Sequence, residues 1–426
     1  MKRFFLVLTV LVVGAHPAFA QEPIEMQPAS ETSRLLFDTL LSLSAGLMAM
    51  VVIVGLCARE AGLVRAKNAV ASCTKMITLT AICSLAAWVA GYNLIFSVEP
   101  GGFLGDFVVW SVPENETDER ASAAQFLQVA LASAIGMAIV SGAVAERIRF
   151  WPFAIFAAAY SALIFPIAAS WIWGNGYLAA AWKYSDFAGA ALIHGCGGWA
   201  ALAGAVILGP RLARYDGEEP REQPPSNVGL AAVGGLLIWV SLLALSAGAH
   251  LSFSSAADAV AISRILVNSQ LAAAGGVFAA LVLTEIIYKR VDLPILINGA
   301  VGALVAISAG PIEPALWQAV TIGAFSGVIV TVTGPLLDRF RIDDAVGAIP
   351  THLVCALWGA LIVPWSNESA TYLGQIAGAV VIGAFSLTMG ILFWTGLRYT
   401  VGLRVTAERE LAGLDSRPEA SPRPRL

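Results

Sequence analysis

The chain has 426 residues, 58% of them hydrophobic and 13% charged, with a formal net charge of −4. Soluble domains carry about 25% charged residues, so no soluble fold could hide this much apolar surface. The charge balance offers no basic surface for nucleic acid, and all five cysteines (Cys57, Cys73, Cys83, Cys196, Cys355) fall inside apolar stretches, which excludes a loop disulfide framework.

In chain order, Lys2 and Arg3, an apolar run from Phe4 to Val13 and Ala18-Phe19-Ala20 have the layout of a cleaved signal peptide. This divides the chain into a signal peptide (1–20), an external segment (21–34), a transmembrane domain (35–398) and a cytoplasmic tail (399–426). Eleven apolar spans are predicted, at 35–58, 69–97, 122–145, 151–172, 187–209, 227–247, 269–287, 295–309, 312–335, 346–363 and 373–398. Most are close to the ~20 residues a spanning helix needs, and none alternates as barrel strands would. The fold class is therefore an all-α polytopic membrane protein with eleven transmembrane helices.

Lys and Arg concentrate in alternate connections. One set holds Arg59, Arg65 and Lys67; Arg147 and Arg149; Arg211, Arg214 and Arg221; Lys289 and Arg290; Arg339 and Arg341; and six arginines from Arg398 onward. The other set holds only Arg34, Arg120, Lys183 and Arg264. The bias predicts an external N-terminus and a cytoplasmic C-terminus, in agreement with a signal peptide and an odd number of spans. The longest external connection, 98–121, is acidic (Glu114, Glu116, Asp118, Glu119).

Two segments share a spacing. Asp186, Gly189 and His194 open the fifth span; Asp344, Gly347 and His352 open the tenth. In each, Asp precedes His by eight residues and Gly precedes it by five. The fifth span runs inward and the tenth outward, which is the signature of an inverted five-plus-five repeat with its site between the halves. Eight helical residues cover about 12 Å and half the hydrocarbon core is about 15 Å, so both histidines are predicted near the midplane.

An intramembrane histidine is costly to bury charged and needs a partner when neutral. A lone one is as readily a structural hydrogen-bonding group as a functional one. Two at pseudo-symmetric positions point to a pair that lines a narrow path and handles a proton or a small polar molecule. Asp186 would cap its helix, and can also stabilise an arriving cation. Trp173, in Ser170-Trp-Ile-Trp-Gly-Asn-Gly176, is an interface anchor or a cation-holding ring. His250 lies by an external loop.

Several runs resemble the ammonium transporter (Amt/Mep/Rh) family across nearly the whole mature chain. They are Glu60 to Asn68, Ser141 to Arg147, Asp186 to His194, Asn298 to Ala306, Asp343 to His352 and Val401 to Val405. The resemblance implies an eleven-helix fold, a homotrimer in the lipid bilayer with one pore per subunit, no cofactor and no metal. It also implies ammonium or ammonia as the transported species, and a PII-type signal protein as a partner at the cytoplasmic face. It makes His194 and His352 the twin pore histidines, Asp186 the acidic residue before the pore and Trp173 the tryptophan of the outer ammonium site.

The mouth departs from the family. Two phenylalanines usually stand above the histidines, and their positions fall on Ala132 and Leu245; Ala249 takes the place of the outer serine and Ser246 that of an asparagine. The chain keeps the pore pair and loses much of the cation-recruiting mouth. Three readings follow: an ammonium transporter of the inner membrane, an ammonium sensor on the same scaffold, and a redox subunit with the histidines as axial haem ligands. The lack of a second pair, and a spacing the family already explains, count against the third.

Overall fold

The computed structural model describes residues 30–113, 122–217 and 219–416. The predicted signal peptide, most of the segment before the first span, the acidic stretch from Glu114 to Glu119 and the tail from Arg417 lie outside the described residues.

Among the described residues, nine helices are long and apolar enough to cross a membrane: α1 Glu31–Leu63, α2 Ala66–Phe96, α3 Ser122–Ala143, α4 Phe150–Ser170, α5 Ala190–Leu208, α6 Val228–Gly248, α7 Ala256–Tyr288, α9 Leu316–Arg339 and α11 Tyr372–Thr400. Two shorter apolar helices, α8 Leu293–Ile307 and α10 Ile349–Trp365, fill the remaining predicted places. The chain is an all-helical multi-pass bundle; among the described residues the strand pairing is limited to a two-residue hairpin, Tyr215–Asp216 with Glu219–Pro220, and an isolated bridge between Ile148 and Arg404.

Short polar residues start the helices. Ser30, Asn227, Ser255, Asp292 and Thr371 each accept the backbone N–H three residues on, satisfying one of the donors a first turn leaves open. The cap at Ser255 explains the largest difference from the expected edges. α7 begins thirteen residues before 269, because Ser263, Arg264 and Asn268 read as loop although they continue the helix. Asn268 is buried and donates to the carbonyls of Pro311 and Pro314. α1 likewise runs past its predicted end, so Arg59, counted above with a loop, is an interior helical residue at 2% exposure.

Small residues bring the helices together. A Cβ on Gly62 of α1 would stand 2.5 Å from the Ala231 nitrogen of α6, and one on Gly323 of α9 would stand 1.8 Å from the Ala272 oxygen of α7. In lipid there is no hydrophobic drive between helices, so such close backbone approach supplies the packing.

Buried ion pairs tie the loops at the Arg-rich face. Asp343 bonds the Arg211 guanidinium at 2.8 and 2.9 Å, and its backbone carbonyl accepts from Arg147 at 2.6 Å. Glu146 takes Arg211 at 2.7 Å, Asn68 at 3.0 Å, and Arg65. Burial pushes the Asp343 carboxyl up, but the bonds and charge of Arg211, with the charge of Arg147, outweigh it and hold the group well below the usual carboxylate range. The tail docks on the same face. Glu410 accepts the Leu212 N–H at 2.6 Å and pairs with Arg404 at 2.9 Å, and Asp415 accepts the N–H groups of Val70 and Ala71 at the start of α2.

Candidate functional site

The two repeated segments fold alike. Gly189 and Gly347 adopt positive φ (87° and 72°), a turn that glycine takes without strain and that swings the chain into the next helix. Each helix then opens with a wide π turn, Ala190–Gly195 and Ile349–Val354, and each π turn carries its histidine. Such turns free backbone positions and cluster at functional sites. Asp186 accepts the N–H groups of Ala191 and Leu192 at 2.9 Å; Asp344 accepts those of Ile349 at 2.6 Å and Val346 at 3.3 Å. Both carboxylates cap the turns; the sequence led to this expectation for Asp186 alone.

The structure brings His194 and His352 together. Their Nδ1 atoms are 3.2 Å apart, and the rings lie nearly parallel at 20° with centroids 5.1 Å apart. Both are buried, at 2% and 1% exposure. One Nδ1 must donate and the other accept, so the neutral pair holds opposite tautomers and presents one Nε2 as donor and the other as acceptor. Nε2 of His352 has no protein hydrogen-bond partner. A buried polar atom left in this state suits a path for a small polar molecule that can supply the bond.

A cavity of about 160 Å³ lies on the face opposite the arginines. Trp173, Ala132, Leu245 and Ala249 all line it, so the four positions named from sequence share one wall. Asp186 is not among the lining groups, although Phe187 and Ala188, which follow it in the chain, are; it is 4% exposed. Its Oδ1 has no hydrogen-bond partner. Phe126, six residues before Ala132, does not line the cavity and is stacked on Trp110 at 4.5 Å.

Sequence reasoning missed eight lining residues, among them Phe96, Phe187, Gln125 and Gln128. Phe187 follows the repeat's Asp directly, and two glutamines three apart at the head of an apolar span were a legible sign of a wetted surface. Phe96, the last residue of α2, gave no signal. A second cavity, of about 550 Å³, opens on the Arg-rich face and is lined in part by Asn298, Asp344, Val346 and Gly347. Among the described residues no group of three His, Cys, Asp or Glu is close enough to hold a metal ion.

Comparison with known proteins gives the family. The model of the Ammonium Transporter Family matches residues 39–420. The chain belongs to the ammonium transporter family. Ammonium transporter Amt2 of Archaeoglobus fulgidus is 32% identical, over 96% of this chain and 91% of its own. Putative ammonium transporter sll1017 of Synechocystis is 33% identical, over 95% of this chain and 94% of its own. Among solved structures, a protein titled Sensor Amt Protein superposes at a TM-score of 0.85 with 27% identity, covering 92% of this chain and all of that one. Candida albicans Mep2 shares the fold at a TM-score of 0.80. The transporter is thus a multi-pass membrane protein of a family of transporters, and not an enzyme.

Proposed function

We propose that this transporter carries ammonium or ammonia across the inner membrane through a path lined by His194 and His352. The observation that carries the reading is the Nδ1–Nδ1 contact at 3.2 Å, from two inverted segments that lie between the two cavities. Ammonium arrives at the outer cavity, where the Trp173 ring favours a cation, and Asp186, outside the lining but next in the chain to Phe187, acts on it only at a distance. An intact cation is costly to carry through hydrocarbon, so ammonium gives its proton to water at the outer mouth, where the proton stays, and ammonia passes the histidines and takes up a proton from water on the other side. The Arg-rich face is cytoplasmic by the charge bias, which puts the N-terminus outside. The chain works as a homotrimer in lipid, and its docked tail presents the surface on which a PII-type signal protein would bind.

The second reading is an ammonium sensor on the same scaffold. The likeness to Sensor Amt Protein and the altered wall at Ala132, Leu245 and Ala249 favour it. The deciding experiment follows lumenal pH in proteoliposomes after an ammonium jump. Transport predicts faster alkalinisation by wild type than in protein-free liposomes, and the protein-free rate for H194A/H352A. Intact, well-folded protein that gives no pH change leaves the sensor reading.

A further inference from the structure

The halves of the bundle can be laid on one another through contacts that occur twice. Gly62 of α1 packs on Ala231 of α6, and Gly248 of α6 packs on Ala45 of α1. A shift of 186 positions carries Gly62 to Gly248 and Ala45 to Ala231, so the second contact is the first one inverted. The same holds where the third and eighth spans meet the histidine helices. Gly136 faces the Ile193 carbonyl and Gly302 the Thr351 carbonyl. A shift of 158 relates Ile193 to Thr351, as it does the histidines, and a shift of 166 relates Gly136 to Gly302.

These registers assign counterparts to the outer wall. A shift of 166 carries Ala132 to Asn298, and a shift of 186 carries Leu245 to Arg59. On the outer side the two positions hold small or apolar side chains that line the cavity. On the inner side they hold a cation and an amide bonded to each other. The Arg59 guanidinium donates to Asn298 Oδ1 and, at 2.8 Å, to the Val346 carbonyl, and both acceptor residues line the inner cavity. Arg59 is itself 2% exposed and its Nε has no partner.

The local charges make the two ends unequal. Glu60 is engaged by Lys75 Nζ at 3.0 Å, and both Glu60 and Asp344 lie within the field of the Arg59 guanidinium. Arg59 sets a positive charge beside the Asp344 turn, because it donates to the carbonyl of Val346 two residues on. The Asp186 turn has the apolar Leu245 as the counterpart of Arg59, and so no guanidinium in that place. A positive charge is thus favoured before the histidines and not beyond them, where it would stand beside a buried guanidinium in a medium of low dielectric.

We propose that Arg59, latched onto Asn298, is the charge-selectivity residue at the inner end of the path, and that it bars ammonium and protons so that ammonia crosses without net charge. This rests on the transport reading above, and the experiment separates the two. Full-length protein in liposomes receives an ammonium jump while lumenal pH and the current on a solid-supported membrane are recorded. Wild type is expected to alkalinise the lumen with no current above protein-free liposomes, at a rate unaffected by an imposed potassium–valinomycin potential. R59L, which copies the outer side, and R59Q are expected to raise the current about ten-fold or more, because a buried charge is a large barrier. R59K, which keeps the charge, stays without current.

Wild-type current that scales with ammonia flux overturns the proposal, and so does flux without current in R59L and R59Q. The potential dependence of wild type decides the matter by itself if the variants do not fold. Absence of flux in wild type and in every variant fails the transport reading and takes the charge filter with it.

Discussion

His194 and His352, 158 residues apart in the chain, meet Nδ1 to Nδ1 at 3.2 Å because each rides on the same π turn, entered from opposite ends of the bundle. The contact depends on both turns, and each turn depends on a glycine.

At Gly347 an added Cβ would stand 2.6 Å from the Asn298 amide nitrogen, on a backbone with φ of 72°. G347A is expected to lose about 1–3 kcal/mol through the strained backbone alone. Thermal unfolding in detergent should show a lower midpoint for G347A, and a similar one for G189A, where the clash is with Ile193 at 2.7 Å. A wild-type midpoint in both would mean that the turns relax without penalty.

Ala249 lines the outer cavity beside Leu245 and Trp173. A249S places a hydroxyl where a cation's N–H can reach it. One added hydrogen bond is worth about 1 kcal/mol, so the half-saturating ammonium concentration should fall by about five-fold. Titration of transport rate against ammonium concentration reads this directly, and an unchanged midpoint would place the recruiting site elsewhere.

Asp343 is held below the ordinary carboxylate range in the folded protein. A depressed carboxyl contributes stability that is present above its unfolded pKa, about 3.9, and is lost as pH falls toward the folded value. Wild-type stability is therefore expected to hold at neutral pH and decline below about pH 4. D343N leaves Arg211 and Arg147 without their buried partner and should cost about 3–5 kcal/mol at neutral pH. The part of the acid decline that belongs to this group should vanish in D343N when denaturation midpoints are compared across pH.

Glu410 holds the tail by accepting from Leu212 and Arg404. E410A removes one bond from Leu212 and two from Arg404, and the part-buried backbone donor of Leu212 loses its acceptor. Limited proteolysis should cut after Arg404 or Arg409 about ten-fold faster, as a loss of 1–3 kcal/mol of local order implies. Equal cutting rates would show that Asp415 at the start of α2 suffices.

Much of this was legible in sequence. Length, apolar blocks and the Asp-Gly-His spacing led to eleven helical segments and to the meeting of the histidines, because burial in lipid forces regular helices and leaves few places for a polar side chain. The mouth positions Ala132, Leu245 and Ala249, read by alignment, fall on one cavity wall. Arg59 escaped because charge at the end of an apolar run reads as loop; only the helix continuing to Leu63 shows it to be interior. The cluster around Asp343 and Glu146 escaped for another reason. Its members come from four connections, and nothing local announces that they converge.

The three registers that relate the halves are unequal: 186 at Gly62 and Gly248, 166 at Gly136 and Gly302, and 158 at the histidines. The shortening means that the first half carries chain the second lacks, and most of it falls between the first and third spans, where 98–121 connects α2 to α3. A duplicated core has thus been dressed differently at its two ends. The two doors share a frame but not a porch, and direction in such a molecule is written wherever the halves stop matching: in the longer connection, in the docked tail, and in the Arg59–Asn298 pair where the other end has Leu245 and Ala132.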